Sequence, residues 1–238
     1  MKQRLVKYSA LSLFIALALN CTKSQMPDTA PIVPAPASDS IHYLALGDSY
    51  TIGQSVEATE RFPYLTAALL RYRHLPVAEP RYIATTGWTT ANLLTAINAA
   101  TNLKTYDVVS LLIGVNDQYQ QLDTAGYRTR FIQLLQKAIS LAGNRKARVF
   151  VLSIPDYSAT PFVAAAGKAR IHDEINAFNA INKEITLADS ITYIDITPLT
   201  REAATDGTLL AHDNLHYSAK EHQLWAELLA PAIQKALQ

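Results

Sequence analysis

From Ile41 onward, short apolar runs alternate with segments of helical periodicity, and this alternation constrains the fold more than any other feature of the chain. The runs are "IHYLALG" (Ile41–Gly47), "RYIAT" (Arg81–Thr85), "YDVVSLLIG" (Tyr106–Gly114), "ARVFVLSI" (Ala147–Ile154) and "ITYIDI" (Ile191–Ile196). Several are unbroken and rich in β-branched residues, the pattern of strands buried on both faces. Between them, Phe62–Arg73, Thr89–Ala99, Thr124–Leu141 and Ile171–Ala188 carry apolar residues at helical spacing. A last helix is predicted over Ser218–Leu237, started by a Ser218 cap and kinked or ended by Pro231. Strand and helix repeated in this way predict a three-layer α/β/α sandwich around a five-stranded parallel sheet. The body, residues 41–238, shows no internal repeat and no second domain. Parallel sheets of this kind bind ligands beyond the carboxyl ends of their strands. Gly47-Asp48-Ser49, Thr86-Gly87-Trp88, Gly114-Val115-Asn116-Asp117 and Pro155-Asp156 should therefore meet at one place.

These strand ends carry unusual chemistry. Gly-Asp-Ser is a common turn composition, so Ser49 alone has two readings, a turn hydroxyl or a nucleophile. A serine hydroxyl becomes a useful nucleophile only beside a base. A base is present near the C-terminus in "AHDNLHYSAKEH", where Asp213 and His216 stand three residues apart and would share one face of a helical turn. A carboxylate there accepts the imidazole Nδ1–H, fixes the tautomer and leaves Nε2 to take a proton from a serine. Acyl transfer also needs donors aimed at the developing oxyanion. The Ser49 N–H, the Gly87 N–H and the Asn116 side-chain amide can supply three.

Four stretches, "GDSYT", the lone Gly87 after the second predicted strand, "GVND" and "DNLH", resemble the sequence blocks of the SGNH hydrolases, also called GDSL esterases and lipases. They occur in that family's order and run from Gly47 to His216, nearly the whole body. The resemblance implies a flavodoxin-like SGNH hydrolase fold and a carboxylic ester hydrolase acting through an acyl-enzyme, whether esterase, lysophospholipase-like enzyme or deacetylase. It implies Ser49 as nucleophile, His216 as general base and Asp213 as its orienter, with the Ser49 N–H, Gly87 and Asn116 forming the oxyanion hole. The implied partner is a small-molecule ester: an acyl ester, a lipid or an acylated sugar. No cofactor is implied. A carbohydrate O-acetyl esterase is the nearest alternative, and a surface glycan-binding module that kept the fold without turnover is the alternative outside enzymes. The G-x-S-x-G signature of α/β-hydrolases is absent. The loop after the first strand also lacks a glycine-rich phosphate cradle, which disfavours nucleotide or flavin binding.

Neighbouring residues receive plainer readings. Asp48 is a turn residue bonding nearby amides, and Asp117 a helix-start residue. His212 could compete as base, but neither it nor His222 has the three-residue spacing to an acid, so both read as surface histidines. His172 in "HDE" reads as part of a solvated helix face. His42 and His74 have no partner at ligand spacing, and no metal site is predicted. Trp88, Tyr119, Tyr157 and Phe162 follow predicted strands and are candidates for lining a substrate pocket, which favours an apolar acyl or aryl group.

The first forty residues differ from the body. Lys2, Arg4 and Lys7 precede the apolar "ALSLFIALAL", which is shorter than the roughly 20 residues that span a bilayer. Residues 1–21 read as an export signal, and the proline-rich residues 22–40 as an extended tether. "LALNC" resembles the lipobox of bacterial lipoproteins, with Ala18 where leucine is usual, and implies lipidation of Cys21. A plainly secreted protein with a free thiol is the alternative. The expected location is outside the cytoplasm, on a membrane of the bacterial cell envelope through a lipid anchor, or otherwise periplasmic or secreted. With one cysteine, no disulfide forms within the chain. The net charge is +1, and no basic cluster in the body marks a nucleic-acid surface.

Overall fold

The computed structural model describes residues 40–238. The export signal, Cys21 and all of the tether except Ser40 lie outside the described residues. Five strands, β1 (Tyr43–Gly47), β2 (Arg81–Ala84), β3 (Val108–Leu112), β4 (Val149–Leu152) and β5 (Thr192–Ile194), form one parallel sheet in the order β2-β1-β3-β4-β5. This is the flavodoxin-like order, in which the chain leaves β1 in one direction for β2 and returns past it to β3. The switch point therefore lies between the carboxyl ends of β1 and β3. Strands β1, β3 and β4 are buried along their whole length, whereas the edge strand β5 is partly exposed. Each fully buried Leu, Val or Phe contributes roughly 1.5–3 kcal/mol, so the central strands can hold only apolar residues or polar ones with partners. Ser110 of β3 obeys this rule: its hydroxyl pairs with Tyr43 Oη at 2.8 Å.

Eight helices accompany the sheet among the described residues: α1 (Ser49–Ile52), α2 (Phe62–Tyr72), α3 (Thr90–Ala99), α4 (Val115–Tyr119), α5 (Thr124–Leu141), α6 (Ala165–Ala188), α7 (Thr197–Arg201) and α8 (Ala219–Leu237). Helix α2 packs on α8, while α5 packs on both α3 and α6, giving the two helical layers of the sandwich. Helix α8 runs through Pro231 instead of ending there. Leu229, Ala230 and Ile233 around it are fully buried, and that packing holds the helix across the lost backbone hydrogen bond. Helix α6 begins at Ala165 rather than Ile171. Its first residues are mostly exposed and show no apolar stripe, although Ala, Lys and Arg are good helix formers. Helices α1, α4 and α7 are four or five residues long, too short to show a period.

Candidate active site

The first half of the site is built where β1 and β3 end. A Cβ on Gly47 would collide with the Leu112 carbonyl oxygen and with Thr51 Oγ1, so only glycine lets α1 fold back this tightly over β3. Asp48 caps α1, its Oδ1 accepting the Tyr50 N–H at 3.0 Å, and Ser49 is the first residue of the helix. At that position helix geometry offers the Ser49 N–H no intrahelical acceptor. Asp48 is wholly buried, and its Oδ2 has no hydrogen-bond partner. Burial pushes its carboxyl up to about 8 against the pull of the Tyr50 N–H, and nearby Asp117 adds to the rise, so the group carries a proton at neutral pH.

Gly87 and Asn116 are held together. Gly87 has φ +83°, and nothing lies within 4 Å of where its Cβ would be, so its backbone stands open to a ligand. Asn116 donates from Nδ2 to the Trp88 carbonyl at 2.9 Å, which spends one amide hydrogen and leaves the other. Beneath them, buried Asp117 accepts from the Thr90 N–H at 2.8 Å, the Thr90 hydroxyl at 2.6 Å and Arg130 Nη2 at 3.2 Å. Asp117 is thus more than a helix-start residue: it ties α4 to the first turn of α3 and so fixes the loop that carries Gly87.

The second half of the site comes from the segment before α8. Asp213 and His216 do not lie on a helical turn. Asp213 Oδ1 accepts the N–H groups of Leu215 (3.0 Å) and His216 (2.9 Å), while Asn214 adopts a left-handed φ of 57°. The Asp213 side chain folds the turn itself, which a helical reading of the spacing misses. Its Oδ2 meets His216 Nδ1 at 2.7 Å and also accepts the Ser55 hydroxyl at 2.6 Å. Partial burial alone would raise the Asp213 carboxyl, but the bonds from Ser55, Leu215 and His216 win and hold it well below the ordinary carboxylate range. The loop is pinned from behind. Ala211 donates to the His216 carbonyl at 2.9 Å, and buried Tyr217 donates its hydroxyl to the Asp156 carbonyl at 3.1 Å.

Both halves face one cavity of about 190 Å³, lined by residues that include Ser49, Gly87, Asn116, His216, Tyr119, Tyr157 and Phe162. Asp213 stands behind His216 rather than in the wall. Tyr157 is buried, whereas Tyr119 and Phe162 are 57% and 50% exposed at the rim. Trp88 does not line this cavity; its ring packs on the core and its carbonyl serves Asn116. Pro155-Asp156 does not reach the wall either. Asp156 is fully buried and its Oδ2 binds His172 Nδ1 and Arg201 Nε, each at 2.9 Å. His172 therefore pairs with a carboxylate distant in sequence, not with its own helix neighbours. His212 is exposed, as expected, but His222 is 1% exposed. The His222 Nδ1 accepts the Phe62 N–H at 3.3 Å, and its ring packs on Phe62 and Trp225. Burial, with His216 and Arg61 nearby, pushes the imidazole down to about 3. Sequence reading missed Ser55 and Tyr217. The first carries no motif, and the sole signal for the second is a large aromatic next to His216. Among the described residues, no cluster of three His, Cys, Asp or Glu side chains could hold a metal ion.

The family model of GDSL-like lipases and acylhydrolases matches residues 45–224, a span that contains every residue of this site. Among solved structures, the chain is similar to the lipase Lip_vut3 from a goat rumen metagenome, with 21% identity and a TM-score of 0.66 over 81% of this chain and 97% of that one. It is also similar to the lipase/acylhydrolase from Enterococcus faecalis (20% identity, TM-score 0.63, 82% and 96% covered). The acetyl xylan esterase AlAXEase gives 17% identity and a TM-score of 0.64 over 81% and 100%. At these identities the likeness is one of fold. No curated protein sequence matches the chain.

Proposed function

Because the chain belongs to the GDSL-like lipase/acylhydrolase family, we propose that it is a serine ester hydrolase with Ser49 as nucleophile, His216 as general base and Asp213 as the acid that orients it. One observation carries this reading: at the switch point of the sheet, a single cavity gathers Ser49, Gly87, Asn116 and a histidine whose Nδ1 is held by a carboxylate at 2.7 Å. With Nδ1–H given to Asp213, Nε2 is the free lone pair that removes the Ser49 proton as Oγ attacks the ester carbonyl. The Ser49 and Gly87 N–H groups and the second Asn116 amide hydrogen are the donors for the oxyanion, each typically worth about 10²–10³ in rate. His216 then protonates the leaving alcohol, and a water activated by the same imidazole releases the acid. The test is turnover of short p-nitrophenyl esters by Ser49→Ala, together with fluorophosphonate labelling. Loss of both is expected; undiminished turnover in the mutant overturns the mechanism, and a wild-type protein that neither labels nor turns over points to a silent binding module.

The cavity volume of about 190 Å³ favours a short acyl group over a long chain. The exposed rings of Tyr119 and Phe162 at its rim support a second, narrower reading, a carbohydrate O-acetyl esterase, whose acetyl group is small and whose sugar would lie outside. Acetylated oligosaccharides set against lysophospholipid and aryl acetates separate the two. We further propose that the enzyme works outside the cytoplasm, tethered to an envelope membrane through lipidated Cys21, with residues 22–40 as the spacer. The mass of the mature N-terminus tests this: a diacylglyceryl cysteine at position 21 supports the anchor, and an unmodified thiol overturns it.

A further inference from the structure

The turn after α1 reaches both halves of the site. Ser55 sends its hydroxyl 2.6 Å to Asp213 Oδ2, the same oxygen that holds His216 Nδ1. Its neighbour Gln54 accepts the Thr86 hydroxyl at 2.7 Å, next to Gly87. Ser55 makes its bond from a left-handed backbone, φ 69°, which a non-glycine residue adopts only at a cost. Gln54 donates its N–H to the Ser49 carbonyl at 2.9 Å, so the turn is anchored directly to the nucleophile's own residue.

We propose that Ser55 is a positioning residue that acts through Asp213: its hydroxyl fixes the carboxylate and takes a share of its charge away from the imidazole. The proposal rests on the serine-hydrolase reading above. Two donors compete for one oxygen. While Ser55 is bound there, Asp213 holds the ring in place but stabilises the imidazolium less than a carboxylate with one donor would. Without Ser55 the imidazolium gains stability, the base gives up its proton later, and the carboxylate is freer to rotate. The titratable groups facing the pair do not complicate this. Tyr50 of α1 meets His216 edge-on at 5.8 Å, and burial raises its hydroxyl well above the ordinary value. His222 of α8, already held down to about 3, is uncharged at working pH.

The test compares Ser55→Gly and Ser55→Ala with the wild type, reading kcat/KM from pH 5 to 9 and thermal stability. Glycine suits the left-handed φ, so Ser55→Gly removes the hydroxyl without adding strain. Both variants should lose about tenfold in kcat/KM, the equivalent of one charge-assisted hydrogen bond in a partly exposed setting. Both should also move the acid limb of the profile upward by several tenths of a pH unit, and Ser55→Gly should melt no lower than wild type. Gln54→Ala touches the Gly87 side alone and should leave the acid limb in place. An unmoved limb in both Ser55 variants, or the same movement in Gln54→Ala, overturns the proposal. A Ser49→Ala protein that still turns over ester overturns the underlying mechanism instead, so the two failures are distinguishable.

Discussion

The two halves of the site are held in different ways. On the nucleophile side, shape and burial do the work: Gly47 leaves no room for a side chain, Asp48 is completely buried, the hydrogen bonds that Asp117 takes from Thr90 and Arg130 end on a completely buried carboxylate, and the strands beneath are closed to water. On the base side, hydrogen bonds do it. Asp213 keeps 29% of its side chain exposed and takes four hydrogen bonds, from Ser55, Leu215 and the backbone N–H and Nδ1 of His216. A site fixed by packing cannot be altered without cost to the fold. A site fixed by hydrogen bonds at the surface can lose its chemistry and still fold. Changes to the packing around the nucleophile should therefore read out as stability, and changes to the hydrogen bonds around the base as rate.

Asp213→Asn should break activity most severely. An amide in that place turns the imidazole to the wrong tautomer, and losses of that kind reach roughly 10⁴ in kcat. The melting temperature should move by only a few degrees, because the Asn oxygen can still accept the turn N–H groups. A melting temperature that collapses along with kcat would erase the contrast between the halves.

The support behind the base loop behaves like core, and pH should expose it. His222 lies six positions from His216, yet it is buried and held down to about 3, against about 6.5 in an unfolded chain. Between those values the unfolded state binds a proton that the folded state refuses, so stability is complete above about 6.5 and lost as pH falls toward 3. The loss from this one group approaches 1.4 kcal/mol per pH unit in that window. His222→Asn, which keeps an acceptor for the Phe62 N–H, should be less stable at pH 7 but show a shallower fall between pH 6 and 4 in urea titrations. An unchanged slope would mean that His222 is not the group refusing the proton.

The same division explains what could be read in the sequence. The buried half was legible because packing writes itself into composition: the runs over β1, β3 and β4 are apolar since nothing else fits there, and the residues after them had to converge. The family blocks marked Ser49, Asn116, Asp213 and His216. What holds the hydrogen-bonded half in place was hidden. Ser55 lies far from Asp213 in sequence, and a left-handed serine leaves no pattern. His222 read as a surface residue because its burial depends on α2 packing against α8, a tertiary fact. Trp88 read as a pocket residue for the matching reason: position after a strand predicts the backbone's place, and here it is the Trp88 carbonyl, not the ring, that serves the site.

Gly47→Ala gives the smallest effect and the sharpest test of the nucleophile half. One added methyl must displace either the Leu112 carbonyl oxygen, which belongs to the sheet, or Thr51 in α1. Overpacking of this kind costs typically 1–3 kcal/mol, which for a body of this size lowers the melting temperature by several degrees. Measured at low temperature, where the variant stays folded, kcat should fall far less than in Asp213→Asn, because no reacting group has been removed. If the variant melts like wild type but turns over a thousandfold more slowly, then Gly47 governs the chemistry directly, and shape on this side of the site serves the reaction before it serves the fold.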